Sequence, residues 1–527
     1  MSDYLLEISI GPVQEFIASA RRMRDLWFGS MMLSELAKAA ALSVMNNGGK
    51  LIFPSVTDRK ELAPNSKLSV ANVILAEFTG GHDFRDIAAK AHEAAVKRLK
   101  VFAEGTFRRM QGWIDWTRWN SQIDDIVEFY SAWTPIISGN YYEARKTVAR
   151  LLAARKNIRD FVPNPCPAPV PKSSLDGLRE SVFKHRLSEA DIANIEAITG
   201  DIRIKRGESL DAIGLIKRVP GTEDERFMPV SSAAIDSGQE GASYIAFICA
   251  DGDRMGAALG RMKTADEHWT FSRDLSGFAL EARKVVEGFG GQCIYTGGDD
   301  VMAFISLNKA LPCVRELHEL FGRIMGGYGA SLSVGLSIAH AKEDLSQLLQ
   351  WGRDAESAAK KGADGKAEER GEDRDGLAVS VKSRGNAGFT VREQWKPKAG
   401  DGAELSAMSL DERLMWFAAK FTSGQIPAKF PYELRENAAF YDNWEAGASL
   451  TRAITSDVMR IFRRKDVSLS PEDKKLVNSY IAFKVHDAAS MRLFADELIA
   501  AEWLCVGVGQ TGTKGGSEKH EVQDNAV

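Results

Sequence analysis

Short apolar runs alternate with longer amphipathic stretches along residues 244–360, and the first two runs stop at turns of glycine and aspartate. Apolar runs of this length predict strands, and the stretches between them have the period of helices. The predicted elements are strand 244–249, helix 265–289, a strand that stops at the Gly297-Gly298 turn, strand 301–306, a helix, strand 330–340 and helix 344–360. The order β-α-β-β-α-β-α is typical of a ferredoxin-like core with a central hairpin.

The N-terminal part of the chain repeats this order. The pattern predicts strand 4–10, a helix over 13–45 that is interrupted near Gly29, strands 50–53 and 71–78, and helix 83–103. The predicted hairpin of this copy has no Gly-Gly-Asp-Asp tetrapeptide. We interpret it as a second, catalytically silent copy of the core that packs against the first.

Between and beyond the two cores the composition changes. Three tryptophans, Trp113, Trp116 and Trp119, recur as one side of a helix would, which favours packing or a subunit interface over base stacking. A proline-rich boundary follows, then a stretch predicted to be mostly helical and polar over 175–218. The predicted fold is α+β, with domains 1–165 (first core with a helical insertion), 166–240 (linker), 241–390 (second core), 391–507 (helical) and 508–527 (disordered tail).

The composition of the 527 residues, 44% hydrophobic and 27% charged, is that of an ordinary soluble globular protein. No apolar run reaches membrane-spanning length, so we expect no membrane partner. The five cysteines form no CxxC pair, and a reducing cytoplasm is the simplest location. The net charge of −4 excludes a protein that coats nucleic acid, although local basic patches leave local RNA contact open.

The candidate chemistry lies at the two acidic turns, Asp251-Gly252-Asp253 and Gly297-Gly298-Asp299-Asp300. A carboxylate at the end of an apolar run is placed at the rim of a sheet, and glycines let a phosphate approach the backbone. Carboxylates gathered at a rim can hold Mg²⁺ or Mn²⁺ for nucleotidyl transfer. The tetrapeptide alone is also an ordinary β-turn, and only the strand order around it favours a metal site.

Three further features of the sequence bear on its function. Lys360 and Lys361 end a helix, where a lysine can reach a bound triphosphate or simply be solvated. The charged, glycine-rich segment 362–375 predicts a mobile loop. Two His-Asp pairs begin at His82 and His486, but each lacks the further ligands of a phosphohydrolase, and Asp83 suits a helix cap.

The chain resembles the large cyclase-like subunit of type III-B CRISPR–Cas effector complexes, the Cmr type. The resemblance is carried by ISIGPVQEFIASARRMRDLWFGSMMLSELAKAAA from residue 8, YYEARKTVARLLAARKNIRDF from 141, PKSSLDGLRESV from 171, GESLDAIGLIKR from 207, ADGDRMG and GGDD. It implies two palm-like domains, a linker domain and a C-terminal helical domain. It also implies an antiviral enzyme that converts ATP into cyclic oligoadenylate when target RNA binds, with other Cmr-type subunits, guide crRNA and target RNA as partners.

The same resemblance implies roles for residues. Asp251 and Asp299 hold two metal ions, assisted by Asp300 and by Asp253 or the carbonyl of Gly252. Gly297, Gly298 and Gly252 lie against the nucleotide, and the AESAAK pattern favours Lys360 over Lys361 as the phosphate contact. The first palm supplies part of a composite pocket for two ATP molecules.

Two departures from the family pattern limit what is carried over. Many relatives begin with an HD nuclease domain, whereas here the GPVQ block starts at Gly11, so we expect no DNase activity. Many relatives also have paired zinc-binding cysteines in the middle domain. Here only Cys166 lies in that region, so we expect no structural zinc. The alternative function is a catalytically silent subunit that scaffolds the guide-RNA complex, although the chain retains the expected acidic residues. A diguanylate cyclase is disfavoured because GGDD replaces GGDEF.

Overall fold

The computed structural model describes residues 3–13, 16–17, 19–158, 169–200, 204–219, 244–362, 364–383, 388–396, 404–445, 447–464 and 468–505. The chain divides into two compact units. The first comprises residues 1–234, 243–398 and 409–411, and the second comprises 235–242, 399–408 and 412–527. The predicted α+β fold class is confirmed, because two sheets in the first unit are accompanied by helices throughout the chain.

The first sheet is built from four antiparallel strands in the order β2-β3-β1-β4. This is the order of a complete ferredoxin-like core. Its elements are β1 (Tyr4–Gly11), α1 (Met23–Asn46), β2 (Lys50–Phe53), β3 (Val73–Phe78), α2 (Phe84–Met110), α3 (Trp116–Asp125), β4 (Glu128–Pro135) and α4 (Tyr141–Asn157).

The fourth strand was not predicted, because it lies in the aromatic tract. The tract contains helix α3, which includes Trp116 and Trp119 but not Trp113, and strand β4 follows it. The helix predicted from the tryptophan spacing is therefore found for two of the three residues. Trp119 is buried and Trp116 is exposed, and both rings contact Phe107. The local pattern does not distinguish the two elements, since β4 is only partly buried.

The predicted break near Gly29 is wrong, because α1 runs through this residue. A Cβ atom at Gly29 would lie 3.0 Å from Cε of the buried Lys217 side chain. The glycine therefore provides room for close packing rather than a helix break. Lys217 comes from α6 (Ala212–Arg218), which follows α5 (Glu189–Thr199). All seven residues of α6 are buried, so this part of the predicted polar linker is core.

The second sheet has six strands in the order β10-β9-β8-β5-β7-β6. Strands β8, β5, β7 and β6 repeat the ferredoxin-like order, and β9 joins β8 in parallel. The elements are β5 (Tyr244–Asp253), α7 (Met255–Leu259), α8 (Ala265–Gly288), β6 (Gln292–Gly297), β7 (Asp300–Ile305), α9 (Leu307–Met325), β8 (Ser331–His340), α10 (Leu345–Lys361), β9 (Gly376–Lys382) and β10 (Phe389–Gln394).

Helix α10 lies on the face of the second sheet that carries Phe247 and Cys249. The Phe247 ring and Cβ of Cys249 lie close to the position that a Cβ on Gly352 of α10 would occupy. Side chains alternate between the two faces of a strand, so Asp251 points to the same face. The Asp251 carboxylate therefore lies on the same side of the sheet as α10, whose last turn contains Lys360.

The second compact unit contains helices only, among its described residues. They are α11 (Glu404–Ala407), α12 (Leu410–Thr422, which begins in the first unit), α13 (Phe430–Ala438), α14 (Ala448–Arg464), α15 (Pro471–Lys484) and α16 (Ala488–Cys505). Arg413 is buried here and bonds Glu497 at 2.8 Å, and the Tyr480 hydroxyl donates to the same carboxylate. Among the described helices of the chain, none is both long and apolar enough to span a bilayer.

Candidate active site at the rim of the second sheet

Strand β5 carries the first acidic turn within its paired region. The prediction ended this strand at Cys249, but its pairing with β8 continues through Asp251 opposite Ser333 and Asp253 opposite Ser331. The two aspartates are therefore held by backbone pairing with β8, while the pairing of β5 with β7 ends at Ala250. A carboxylate on a paired strand loses less conformational entropy when it binds a ligand than one on a free loop.

The Gly-Gly-Asp-Asp segment forms a tight hairpin between β6 and β7. Gly297 pairs with Asp300, which leaves Gly298 and Asp299 as the two turn residues. Gly298 has φ of +75°, a left-handed conformation that glycine adopts without steric cost. At Gly297 the phenol of Tyr295 occupies the space where a Cβ would stand. The turn conformation thus favours glycine at 298, and the packing of Tyr295 requires it at 297.

The hairpin meets the end of β5, and three carboxylates converge there. One oxygen from each of Asp251, Asp299 and Asp300 lies within 4.8 Å of the others. Gly252 makes this approach possible, because a Cβ on it would lie 2.8 Å from Cβ of Asp299. These three aspartates are the group of metal-type ligands found among the described residues.

The position of the turn carboxylates in the fold raises their pKa values, mainly through burial. Burial raises the pKa of Asp299 to about 6. Burial raises the pKa of Asp300 to about 7, with further contributions from the negative charges of Asp299 and Glu356. A bound cation would oppose both effects, because positive charge favours the ionised form. The carboxylates of Asp299 and Asp300 therefore lack enough neighbouring positive charge to offset their burial.

Lys360 supplies part of that charge in the structure. Its ammonium group contacts the Asp251 carboxylate and lies 2.8 Å from Glu356 Oε1. Burial, followed by the nearby positive charge of Arg374, lowers the pKa of Lys360 to about 8. Sequence analysis missed Glu356, although its position four residues before Lys360 on one helix is the spacing at which such pairs form.

Asp253 was predicted from the family resemblance as a metal ligand, and the structure does not bring it into the cluster. Its side chain is fully buried and accepts hydrogen bonds from the hydroxyls of Ser331 at 2.9 Å and Ser333 at 2.8 Å. The backbone N–H of Asp375 donates a third at 2.9 Å. Burial nevertheless raises the pKa of Asp253. The Asp253 carboxylate therefore connects β5 to Ser331 and Ser333 of β8 and to the backbone at Asp375.

The ligand set of the cluster fits a hard divalent cation. Three carboxylates offer oxygen ligands, which Mg²⁺ and Mn²⁺ prefer over nitrogen or sulfur. The raised pKa values and the Lys360 contact indicate that the cluster gains from added positive charge. The Asp cluster can therefore bind a metal ion.

The His-Asp pairs have structural roles. Asp83 accepts hydrogen bonds from the N–H groups of Arg85 and Asp86 at the start of α2, which confirms the predicted helix cap. His82 contacts the carbonyl of Thr79 at 3.3 Å. Asp487 accepts a hydrogen bond from the N–H of Ser490, and neither pair belongs to a metal-type group among the described residues.

Comparisons with known protein families and structures agree with this architecture. The model of the second palm domain of Cas10/Cmr2 matches residues 244–368, and the model of the N-terminal part of the CRISPR-associated protein Cmr2 matches residues 5–103. The chain is a Cas10/Cmr2-like protein. The aspartate cluster and strands β5 to β8 of the second sheet lie in the region that matches the second palm model. Strands β1 to β3 of the first sheet lie in the region that matches the Cmr2 N-terminal model, and β4 lies beyond it.

Relatives of known name and structure are distant. A curated relative, the CRISPR system Cmr subunit Cmr2 of Pyrococcus furiosus, is 30% identical over 138 residues, which is 25% of this chain and 15% of the relative. Among solved structures, apo type III-B Cmr-beta matches with a TM-score of 0.60 and 12% identity over 88% of this chain and 77% of its own. These structural likenesses concern the fold.

Two further structures have the same fold. Cmr-beta bound to cognate target RNA matches with a TM-score of 0.54 and 11% identity, over 92% of this chain and 78% of the other. Csm1 of T. onnurineus matches with a TM-score of 0.51 and 14% identity, over 94% of this chain and 70% of the other. The palm-plus-helical architecture predicted from the sequence is confirmed.

Proposed function

We propose that this protein is an RNA-activated nucleotidyltransferase of a type III-B CRISPR effector complex, which converts ATP into cyclic oligoadenylate for antiviral defence. The observation that carries the proposal is the convergence of Asp251, Asp299 and Asp300 beside Lys360. Three acids and one lysine at the end of a palm sheet are suited to binding a metal-complexed triphosphate.

Each residue of the cluster has a defined task in this reaction. Asp251, Asp299 and Asp300 would hold two Mg²⁺ or Mn²⁺ ions, which activate the 3′-hydroxyl of one ATP and stabilise the leaving pyrophosphate of the next. Lys360 leaves the Asp251 carboxylate and binds a phosphate oxygen of the incoming nucleotide. Glu356 keeps the Lys360 ammonium at the rim when no nucleotide is bound.

The glycines supply space for the substrate. Gly252, Gly297 and Gly298 surround the carboxylates without side chains, so the triphosphate can approach the backbone of the hairpin and of β5. Phosphoryl chemistry of this kind needs little covalent participation by the protein. Most of the rate enhancement therefore comes from positioning and electrostatic stabilisation by the groups at the rim.

The proposal extends to partners and location. The family matches and the fold shared with Cmr-beta support assembly with other Cmr-type subunits, guide crRNA and target RNA. Cys249, Cys293 and Cys313 are buried free thiols, which suits the reducing cytoplasm. Target RNA would act by changing the population of the nucleotide-competent state of the second palm.

Labelled ATP tests the proposal directly. The chain, alone and assembled with guide and target RNA, is incubated with ATP and Mg²⁺ or Mn²⁺, and the products are identified by mass spectrometry. We expect cyclic oligoadenylate from the assembled complex and none from the Asp299→Ala/Asp300→Ala variant. Absence of any nucleotide product from a correctly assembled wild-type complex would instead favour the silent scaffold.

A further inference from the structure

The segment that follows α10 returns to the active site. We call residues 372–375 the strap. Arg374 donates its backbone N–H to the carbonyl of Lys360 at 2.7 Å, and the N–H of Asp375 donates to the Asp253 carboxylate at 2.9 Å. Although the composition of this segment predicts a mobile loop, its end is therefore tied to two residues of the rim.

A partly buried arginine on β10, Arg392, completes the attachment. The Arg392 guanidinium donates to the carbonyl of Ala359 at 3.0 Å and to the carbonyl of Glu372, and its contact to the carbonyl of Arg374 is 3.4 Å. One planar group thus connects the last turn of α10 to Glu372 and Arg374 of the strap. These hydrogen bonds hold the backbone of the strap next to the backbone of Lys360.

Two arginines at the rim have left-handed backbone conformations, which residues with a Cβ rarely adopt. Arg374 has φ of 64°, and Arg254, directly after Asp253, has φ of 58°. Left-handed conformations are sterically unfavourable for residues with a Cβ, and such residues concentrate at functional sites. Glycine would satisfy the backbone at either position, so the backbone geometry alone does not call for arginine.

The two arginines share one carboxylate. Nε of Arg374 lies 3.3 Å from Asp373 and Nη2 of Arg254 lies 3.7 Å from the same residue, while both side chains remain about half exposed. Two guanidinium groups on one carboxylate leave a net positive charge there. Arg374 also lies near enough to Lys360 for its charge to contribute to the lowered pKa of that lysine.

We propose that Arg374 and Arg254 bind the β- and γ-phosphates of the nucleoside triphosphate whose α-phosphate lies at the aspartate cluster. This inference rests on the proposed function and adds two residues to it. A guanidinium presents several N–H donors in a plane and can bind two phosphate oxygens at once. The strap brings Arg374 to the rim through Asp253, which explains why that carboxylate holds the strap instead of joining the cluster.

Binding of α,β-methylene-ATP to the full-length chain in its complex, measured by calorimetry with Mg²⁺, tests the inference. The variants are Arg374→Gly and Arg254→Gly, which remove the side chain and leave the left-handed backbone unstrained. A charge-assisted hydrogen bond contributes enough for us to expect a loss of affinity of roughly 10- to 100-fold. Affinity for AMP should change less than about threefold, because AMP lacks the β- and γ-phosphates.

The matched control is Arg108→Ala, which removes an exposed arginine that pairs with Glu104 on the first palm. Its affinity for the analogue should equal that of the wild type. Thermal unfolding of the glycine variants should occur at or above the wild-type temperature. Wild-type affinity in a folded Arg374→Gly variant would overturn the inference and leave the proposed function standing. Failure of the wild-type complex to bind the analogue would overturn both.

Discussion

The two sheets of the first unit share a strand order but differ in how their central strands are joined. In the first sheet, residues 54–72 separate β2 from β3, whereas Gly298 and Asp299 alone separate the paired residues of β6 and β7. The short turn brings its carboxylates against the end of the neighbouring strand. The same fold therefore yields an acidic cluster in one copy and none among the described residues of the other.

Partly buried acids in the two copies also have different surroundings. Burial raises the pKa of Glu7, in the middle of β1, to about 7, but the positive charges of Arg145 and Lys156 oppose this shift. At Asp300 the neighbouring charges of Asp299 and Glu356 add to the effect of burial. The two acids thus have similarly raised pKa values, but Glu7 lies beside two cations and outside any metal-type cluster, whereas Asp300 lies among further acids that a bound cation could join. Burial alone does not identify a metal site.

The largest expected effect is a loss of activity when the acids of the cluster are removed, compared with none when Glu7 is neutralised. The Asp299→Ala/Asp300→Ala variant should lose roughly 10³-fold or more of its nucleotidyl transfer, since metal binding contributes several kcal/mol to catalysis. Its melting temperature should not fall, because the lost carboxylates are rim residues. Glu7→Gln in the first palm should retain wild-type product yield. Equal losses in the two variants would remove the distinction.

A smaller effect is expected from the close approach of β5 to the hairpin. Gly252→Ala would place a Cβ 2.8 Å from Cβ of Asp299 and displace the turn carboxylates. Misplacement of reacting groups by about 1 Å can cost about 10²-fold in rate. Gly256→Ala is the matched control, because a Cβ there meets no atom within 4 Å. Rates are measured in the assembled complex, and full activity in Gly252→Ala would contradict the role of this contact.

Lys360 and Lys361 differ in their partners, which permits a paired test. Lys360 contacts Asp251 and Glu356, while Lys361 is exposed. Lys360→Ala should weaken ATP binding at least about tenfold, the value of one charge-assisted hydrogen bond. Lys361→Ala should bind ATP as the wild type does. The KM for ATP reports the difference, and a larger effect at Lys361 would reverse the assignment made from the helix pattern.

The smallest effect concerns stability in the absence of divalent cations. The raised pKa values of Asp299 and Asp300 mean that the folded chain binds protons more tightly than the unfolded chain between about pH 4 and pH 7. The free energy of unfolding should therefore fall as pH rises through this window. We expect Tm to drop by about 2–4 °C between pH 5.5 and 7.5.

The Asp299→Asn/Asp300→Asn variant, which cannot ionise at these positions, is the control for this drop. Its Tm should change less with pH than that of the wild type. Added Mg²⁺ should raise the wild-type Tm more at pH 7.5 than at pH 5.5, because the ionised carboxylates bind the cation. A wild-type Tm that rises with pH in the absence of Mg²⁺ would contradict the electrostatic description of the cluster.

Local patterns in the sequence determined the strands that end at the acidic turns, the ferredoxin-like order and the candidate carboxylates Asp251, Asp299 and Asp300. These features depend on hydrophobic period and turn chemistry, which act over a few residues. The same patterns did not reveal β4 or the buried helix α6. Both elements depend on packing partners far away in the chain.

Only the tertiary structure decided which acids share a site. Asp251 and Asp253 have the same chemistry and nearly the same sequence context, yet one meets the hairpin and the other binds Ser331, Ser333 and the strap. The sequence predicts a helix break at Gly29, whereas in the structure this glycine makes room for the Lys217 side chain within a continuous helix. Distances between residues far apart in sequence are set by how sheets and helices pack, and no local pattern contains that information.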